Sequence, residues 1–249
     1  MSNSPLVTYT RLSPNCNKPR NHAIDTITIH CTAGQGTAQS ILGLPSFIKY
    51  DPVNGYSCNY VVGKDGSIGL CVEESNRSWC SSNRDNDHRA ITIEVSSDSY
   101  SPYKVTEKAL ASLIDLLVDI CQRNGIKRLV WSTNKADRVN HRNGCNMTCH
   151  RDFAAKACPG DYLYALHGDI AESVNKRLED AEEVTQEQFN SMMETYLTQQ
   201  REKETSTWSA ASWERAKEAG VFDGTAPQAQ LSREQAALVL DRLGLLEKE

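Results

Sequence analysis

The sequence predicts an α/β protein with a central mixed β-sheet flanked by helices, followed by a small all-α C-terminal module. Stretches that alternate apolar and polar residues, typical of half-buried strands, lie among helical segments in the first part of the chain. After residue 180, only helical periodicity and polar spacers remain. We therefore predict two domains, 1–180 and 181–249. A chain of 249 residues is long enough to bury one sizeable core beside a smaller appendage.

The first predicted strand lies in "IDTITIHCTAG", residues 24–34, where isoleucines alternate with threonines before a glycine. This places His30 near the end of the strand. The segment "CNYVVGKDGSIGLCVEE" predicts a hairpin that turns at Asp65 and Gly66, because Asp-Gly suits the positive φ angles of a tight turn. "RAITIEVSS" predicts a further strand, and its alternation places Glu94 on the polar face.

A long amphipathic helix is predicted for residues 106–124, where apolar residues recur at helical spacing and a glycine follows as a stop. "KRLVWS", residues 127–132, predicts another strand, and a polar loop rich in Asn, Arg and Cys follows it. Residues 161–182 have a helical pattern and become increasingly charged, so we expect them to close the first domain.

The C-terminal segment contains a weak internal repeat. "VTQEQ", residues 184–188, and "LSREQ", residues 231–235, each combine a Ser/Thr N-cap with the start of an amphipathic helix. Common capping chemistry explains the same pattern without any repeat, so both interpretations stay open.

Charge and hydropathy argue against some classes of partner. The formal net charge is -5, whereas nucleic acid and anionic membranes attract basic surfaces, so we predict neither a nucleic-acid nor a membrane partner. No apolar run approaches the roughly 18 residues that span a bilayer, and the N-terminus lacks the apolar core of a signal peptide. We therefore expect a cytoplasmic protein whose nine cysteines are mostly free thiols.

The segment "CHRDFAAKACPGDY" suggests a metal site. His150 and Cys158 lie there with Lys156 between them, and His30 is a candidate third ligand. Neutral imidazole and thiolate bind zinc, and a catalytic zinc site uses three protein ligands and keeps a fourth position for water. Each residue also has an ordinary explanation. The alternative roles are a core histidine for His30, a solvated strand residue for Glu94, and for Lys156 a lysine that satisfies helix-end carbonyls.

Four stretches resemble the landmarks of the zinc-dependent N-acetylmuramoyl-L-alanine amidases, in the same order and at similar spacing. They are "TITIHCTAG", "SCNYVVGKDGSI", "ITIEVS" and "TCHRDFAAKACPGDYL", within residues 24–163. That superfamily includes phage amidase-type lysozymes, cell-wall recycling amidases and peptidoglycan recognition proteins. The resemblance implies Zn²⁺ as cofactor and bacterial peptidoglycan as substrate. It also implies hydrolysis of the amide bond between N-acetylmuramic acid and L-alanine.

The resemblance further implies roles for individual residues. The family's zinc ligands fall on His30, His150 and Cys158, and a cysteine as third ligand follows the lysozyme-like branch. The family's catalytic lysine falls on Lys156, where it would stabilise the developing oxyanion. The glutamate of the recycling branch falls on Glu94, where it would transfer protons between the attacking water and the leaving amine.

Cys58 departs from the family pattern, because the lysozyme-like branch has a tyrosine at this position. Either Glu94 carries the proton transfer without a phenol, or the site binds peptidoglycan without cutting it. Tyr56 and Tyr60 lie nearby, but one register step turns a side chain to the opposite face, so only one set can point into the site. The sequence does not choose between them.

The same resemblance suggests a phage or prophage endolysin. Such an enzyme accumulates in the host cytoplasm without a signal peptide and reaches the cell wall after the membrane is permeabilised. A cytoplasmic recycling amidase and a non-catalytic peptidoglycan-binding protein are the alternatives. The C-terminal module more loosely resembles small helical repeats used for wall attachment, which would make a secondary cell-wall polymer a further partner. A homo-oligomer formed through this module is the competing interpretation.

Overall fold

A computed structural model describes residues 2–182 and 186–246. The chain divides into two compact units, Met1–Glu182 and Glu183–Glu249. The elements of the first unit are β1 (Tyr9–Thr10), β2 (Cys16–Asn17), β3 (Thr26–Cys31), α1 (Ala38–Leu42), α2 (Pro45–Ile48), β4 (Tyr60–Val62), β5 (Ile68–Leu70), β6 (Arg77–Ser78), α3 (Arg84–Arg89), β7 (Ala90–Val95), α4 (Glu107–Asn124), α5 (Lys135–Val139), β8 (Met147–Cys149) and α6 (Gly160–Glu182).

Six of these strands form a central sheet in the order β1-β5-β4-β7-β3-β8. β4, β7, β3 and β8 run parallel to one another, whereas β5 is antiparallel to β4 and parallel to β1. β2 and β6 form a separate antiparallel pair. The predicted α/β class, with a mixed sheet flanked by helices, is confirmed.

The alternation of residues in β3 and β7 separates an apolar face of the sheet from a polar one. The apolar residues pack with α4 and α6 in the main core, which includes Ile27, Ile29, Ile91, Ile93, Leu113, Leu117, Leu163 and Val174. On the opposite face, His30 and Glu94 are partners in the parallel register of the two strands. The prediction that Glu94 lies on the polar face is confirmed.

Buried hydroxyl and amide groups bond to one another on the polar face. The hydroxyl oxygens of Thr28 and Thr148 lie 2.8 Å apart, and Asn86 Nδ2 donates to the Thr28 oxygen at 3.0 Å. The hydroxyls of Ser78 and Thr92 are 2.7 Å apart. A satisfied buried network of this kind is rigid, and it makes a firm support for the side chains at the strand ends.

Two predictions of local structure are confirmed. The long helix runs over Glu107–Asn124, where the Thr106 side chain caps its start and Gly125 ends it with a φ of 70°. The hairpin of β4 and β5 turns through Gly66, whose φ of 86° is in the region that glycine adopts without strain.

The strand predicted for residues 127–132 is wrong. Apart from one bond from the backbone N–H of Asn146 to the Val130 carbonyl, side-chain amides make the hydrogen bonds described below to the backbone of this segment. Leu129 N–H donates to Asn175 Oδ1 at 2.7 Å, and Val130 N–H donates to Asn146 Oδ1 at 2.8 Å. Asn175 Nδ2 also donates to the Leu129 carbonyl at 2.8 Å. The two asparagines are 46 and 16 residues away from their partners, so the local pattern contains no sign of them.

The second unit contains only helices among its described residues: α7 (Gln186–Arg201), α8 (Ala210–Glu218) and α9 (Arg233–Arg242). Ser232 caps α9, and Gln235 completes a capping box. The corresponding cap predicted within residues 184–188 lies partly outside the described residues. None of the described residues in these three helices is fully buried.

Across residues 2–182 and 186–246, no helix combines the length and the apolar character needed to cross a membrane.

Candidate metal centre and active-site cleft

The carboxyl ends of three parallel strands bring the predicted site residues together. His30 is the second-last residue of β3, Glu94 is the second-last residue of β7, and His150 directly follows β8. Because β7, β3 and β8 are adjacent and parallel, these ends meet at one edge of the sheet. Ligands of open α/β sheets bind in this position.

His30, His150 and Cys158 form a group whose candidate ligand atoms all lie within 4.8 Å of one another. Cys158 Sγ is 3.4 Å from His30 Nδ1, and the two imidazole rings are 5.1 Å apart between centroids. Two imidazoles and a thiol are a donor set that suits zinc, so the residues present fit the ion that the sequence resemblance implies.

Burial keeps both imidazoles of the group neutral. It lowers the pKa of His30 to about 3, and the neighbouring His150 adds to this effect. Burial and the charge of Lys156 also lower the pKa of His150. Since a metal ion binds the neutral ring, both histidines are ready to act as ligands near pH 7.

Arg151 holds the loop that carries Lys156 and Cys158 against the His150 turn. Its backbone N–H donates to the Cys158 carbonyl at 3.1 Å, and its guanidinium donates to the Ala157 carbonyl at 2.5 Å. On the other side, the backbone N–H of Cys31 donates to Cys158 Sγ at 3.4 Å. These contacts fold the segment from His150 to Cys158 back on itself.

A serine that the sequence analysis did not single out bonds to His150. Ser82 Oγ lies 2.9 Å from His150 Nε2 and fixes the orientation of the ring. Ser82 follows β6 in a loop without a recognisable motif, so no pattern in the sequence identifies it.

Glu94 is a half-buried residue beside the candidate metal ligands. Its Oε2 atom is buried and has no hydrogen-bond partner among the described residues, and its Oε1 atom is 4.0 Å from Cys80 Sγ. Burial raises the pKa of Glu94 well above its usual value, and the nearby Cys31 and Cys71 thiols raise it further. A carboxyl group with a raised pKa suits proton transfer at neutral pH.

Glu94, His150 and Lys156 line one cleft of about 570 Å³. Lys156 is exposed and lies in the loop between the His150–Asp152 turn and α6. It is therefore not a helix-end residue, and that alternative explanation of the sequence is wrong. Other residues that line the cleft are Tyr56, Arg77, Trp79, Cys80, Ser82 and Arg84.

Cys58 and the two nearby tyrosines occupy three different environments. Cys58 is fully buried and packs with Val61 and Cys71 in a second core. Tyr60 is buried in the main core, and its hydroxyl donates to Glu74 at 2.5 Å. Tyr56 is 41% exposed and lines the cleft beside Glu94. Tyr56 is thus the member of this trio that reaches the site.

Two imidazoles and a carboxyl group at the ends of parallel strands, with a thiol from the following loop beside them, are an arrangement typical of metal-dependent hydrolases. The sequence agrees with this class, because residues 20–161 match the model of the N-acetylmuramoyl-L-alanine amidase family. The match covers more than half of the chain, and the chain belongs to this family. It is a hydrolase of the amide bond in peptidoglycan.

The chain is similar to several solved structures. PlyL has 16% sequence identity, a TM-score of 0.46, and coverage of 67% of this chain and 95% of its own. The endolysin N-acetylmuramoyl-L-alanine amidase LysCS from Clostridium intestinale URNW has 17% identity, a TM-score of 0.47, and coverage of 68% and 98%. An AmpD derivative has 16% identity, a TM-score of 0.48, and coverage of 69% and 99%. The family assignment rests on residues 20–161 and not on these likenesses. No curated protein matches the chain.

Proposed function

We propose that this amidase holds a Zn²⁺ ion between His30, His150 and Cys158. The supporting observation is that two segments distant in sequence, one with His30 and one with His150 and Cys158, bring two ring nitrogens and one sulfur to within 4.8 Å of one another. A zinc ion at such a set supplies the Lewis acidity that lets water attack an amide at neutral pH.

In this proposal, Glu94 moves the protons of the reaction. Its carboxylate accepts a proton from the attacking water and then gives it to the amine of L-alanine as the amide bond breaks. The position of Glu94 in the wall of the cleft and its raised pKa support this role, because the group must exchange a proton near pH 7. The phenol that the lysozyme-like branch carries at position 58 is not needed for this transfer.

Lys156 is proposed to stabilise the negative charge that develops on the carbonyl oxygen. Lys156 lines the same cleft as Glu94 and His150, so a substrate carbonyl bound there would share the cleft with a cation and with one of the proposed zinc ligands. Preorganised charges of this kind stabilise a transition state more than the ground state.

We further propose that the chain acts as a lytic enzyme of phage or prophage origin. It would act on the cell wall from the host cytoplasm after the membrane is permeabilised. The two predicted domains, 1–180 and 181–249, would then divide catalysis from wall attachment. Exposed apolar residues of the second unit, such as Trp208 at 88% exposure, offer surface for a wall polymer. The same surface suits a homo-oligomer.

Mass spectrometry of digested peptidoglycan tests the proposal. We expect released stem peptides with a free N-terminal L-alanine alongside intact glycan strands, loss of these products after treatment with a chelator, and recovery when Zn²⁺ is added. Cleaved glycan would contradict the assignment of the bond, and activity that survives complete metal removal would contradict the zinc site. Binding to walls without any release of product would favour the non-catalytic alternative.

Two further measurements test the remaining alternatives. One distinguishes a lytic role from a recycling role, and the other distinguishes wall attachment from self-association. A lytic enzyme clears suspended cell walls faster than it cleaves soluble muropeptides, whereas a recycling enzyme shows the reverse preference. For the full chain, light scattering after size-exclusion chromatography reports the oligomeric state. Co-sedimentation with purified walls reports attachment, and a dimer that does not sediment would contradict wall attachment.

A further inference from the structure

A second group of metal-ligating side chains shares His30 with the first. The candidate ligand atoms of His30, Cys80 and Glu94 all lie within 4.8 Å of one another. Cys80 follows β6, whereas His30 and Glu94 are neighbours on β3 and β7. The amidase reaction as proposed above makes no use of Cys80, so this thiol needs a separate explanation.

Two atoms of this second group are buried and have no hydrogen-bond partner among the described residues, namely His30 Nε2 and Glu94 Oε2. Buried polar atoms are normally satisfied, because leaving one unpaired costs free energy. The neighbouring buried carboxylate of Asp87 follows this rule, since it accepts from the backbone N–H groups of Cys80 and Ser81 at 3.0 and 3.1 Å. The two unpaired atoms are therefore available to bind a ligand.

The chemistry of the group favours a thiophilic divalent ion. Zinc binds imidazole, thiolate and carboxylate, and tetrahedral coordination places its ligand atoms about 3.4–3.8 Å apart. Cys80 Sγ and Glu94 Oε1 are 4.0 Å apart, so only a small movement closes the set. Asp87 anchors the Cys80 backbone, which keeps the thiol next to Glu94.

We propose that His30, Cys80 and Glu94 form a second Zn²⁺ site, filled after the first. The imidazole ring of His30 has two nitrogens, and each can bind one ion. Nδ1 lies 3.4 Å from Cys158 Sγ in the first group, and Nε2 is the unpartnered atom. Both sites fill together when His30 uses both nitrogens. Because neutral imidazole carries a proton on one nitrogen, His30 bridges the two ions as an imidazolate. Binding of the second ion therefore releases the protons of the Cys80 thiol and of the His30 ring, together with any proton held by the Glu94 carboxyl group.

The second site has a consequence for activity that rests on the proposed role of Glu94. An ion bound there occupies the carboxylate that transfers protons, so zinc in excess of one equivalent inhibits the amidase. This makes the second site inhibitory and the first site activating.

Native mass spectrometry of the full chain during a zinc titration tests the site without any activity measurement. We expect two bound ions in the wild type, one in Cys80→Ser, and two in the control Cys16→Ser. Cys16 is also a half-buried free thiol but belongs to neither group. A single ion in the wild type, or two ions in Cys80→Ser, would overturn the proposal.

Cobalt provides an independent readout of the same site. Co²⁺ bound to a thiolate has a charge-transfer absorption, so the second equivalent of Co²⁺ should add intensity in the wild type and none in Cys80→Ser. If Cys80→Ser does not fold, as judged by circular dichroism, Glu94→Gln takes its place and should also lose the second ion. If the second equivalent of Co²⁺ adds the same thiolate absorption in these variants as in the wild type, the proposed second site is wrong.

The activity measurement separates this proposal from the proposed function. The ratio of amidase activity at excess zinc to that at one equivalent should fall in the wild type and stay constant in Cys80→Ser. Two bound ions in a protein that is inactive at one equivalent would overturn the proposed function and leave the second site in place. Inhibition by excess zinc in a protein that binds one ion would overturn the second site alone.

Discussion

The guanidinium of Arg138 and the carboxylate of Asp152 form a buried ion pair beside the candidate metal-ligating group. Arg138 Nε donates to Asp152 Oδ2 at 3.0 Å, and the two side chains are 2% and 0% exposed. Asp152 Oδ2 also accepts from the backbone N–H of Cys149 at 3.0 Å. Because Cys149 and Asp152 lie on either side of His150, this pair fixes the turn that carries the proposed ligand.

Asp152→Ala should lower the free energy of unfolding by about 3–5 kcal/mol, because removing one partner leaves an uncompensated buried charge. Urea denaturation, with zinc at the same saturating concentration for every variant, measures the change. Asp115→Ala is the control, since Asp115 pairs with Arg177 at the surface and its loss should cost less than about 1 kcal/mol. Equal costs for the two variants would show that the buried pair does not stabilise the fold.

Cys158→Ser should weaken zinc binding by at least about 100-fold, because even residues that only orient a metal ligand contribute 10–100-fold. Competition with a chromophoric chelator measures the affinity. Cys145→Ser is the matched control, since Cys145 is a buried free thiol outside both metal-ligating groups. Unchanged affinity in Cys158→Ser would remove this residue from the ligand set.

Glu94→Gln should lower kcat by about 10²–10⁴-fold, because the amide cannot accept the proton of the attacking water. Release of stem peptides with a free N-terminal L-alanine from peptidoglycan, at one equivalent of zinc, measures the rate. Binding of the first zinc ion should be retained, which separates a catalytic defect from loss of metal. Glu107→Gln, at the start of α4, is the control and should keep the wild-type rate. A rate in Glu94→Gln equal to that of the control would contradict the role of Glu94.

Lys156→Met should lower kcat by about 10²–10³-fold with a smaller effect on KM, because the lost charge acts mainly on the transition state. Steady-state kinetics on a soluble muropeptide separate the two constants. Lys156→Arg keeps the charge and should recover part of kcat, whereas Lys135→Met, on the exposed surface of α5, should have no effect. A rise in KM alone would assign Lys156 to substrate binding instead.

Acid should destabilise the first unit in part through His167 on α6. Burial lowers the pKa of His167 to about 4, whereas an unfolded histidine titrates near 6.5. As the pH falls, the unfolded chain therefore takes up a proton at His167 before the folded chain does. The contribution of His167 to the free energy of unfolding is fully present above about pH 6.5 and falls by up to about 3 kcal/mol as the pH drops to 4. Urea denaturation at several pH values across this range measures the loss.

His167→Asn should flatten that pH dependence. The Asn side chain retains a donor for the Leu163 carbonyl, which His167 Nδ1 contacts at 2.6 Å, but it does not titrate. His22→Asn, at an exposed position, should keep the wild-type pH dependence. An unchanged slope in His167→Asn would mean that other groups cause the acid sensitivity.

Local patterns in the sequence determined the elements that carry the site. Alternation of apolar and polar residues in "TITIHC" and "ITIEV" is sufficient to place His30 and Glu94 on one face, because side chains in a strand point alternately to opposite faces. Helix caps are equally local, which is why the bounds of α4 were predicted well. The order of the four family stretches indicated the family that residues 20–161 confirm. The roles of the five predicted site residues stay predictions.

Only the tertiary structure decided which residues surround those side chains. Ser82 and Cys80 reach the site from a loop after β6. The side chains of Asn146 and Asn175 accept hydrogen bonds from backbone N–H groups that would bond to a neighbouring strand if residues 127–132 formed one. The choice of Tyr56 over Tyr60 as the cleft residue was likewise open until the chain was folded. These contacts join segments far apart in sequence, and their energies depend on docking of whole elements rather than on any local preference.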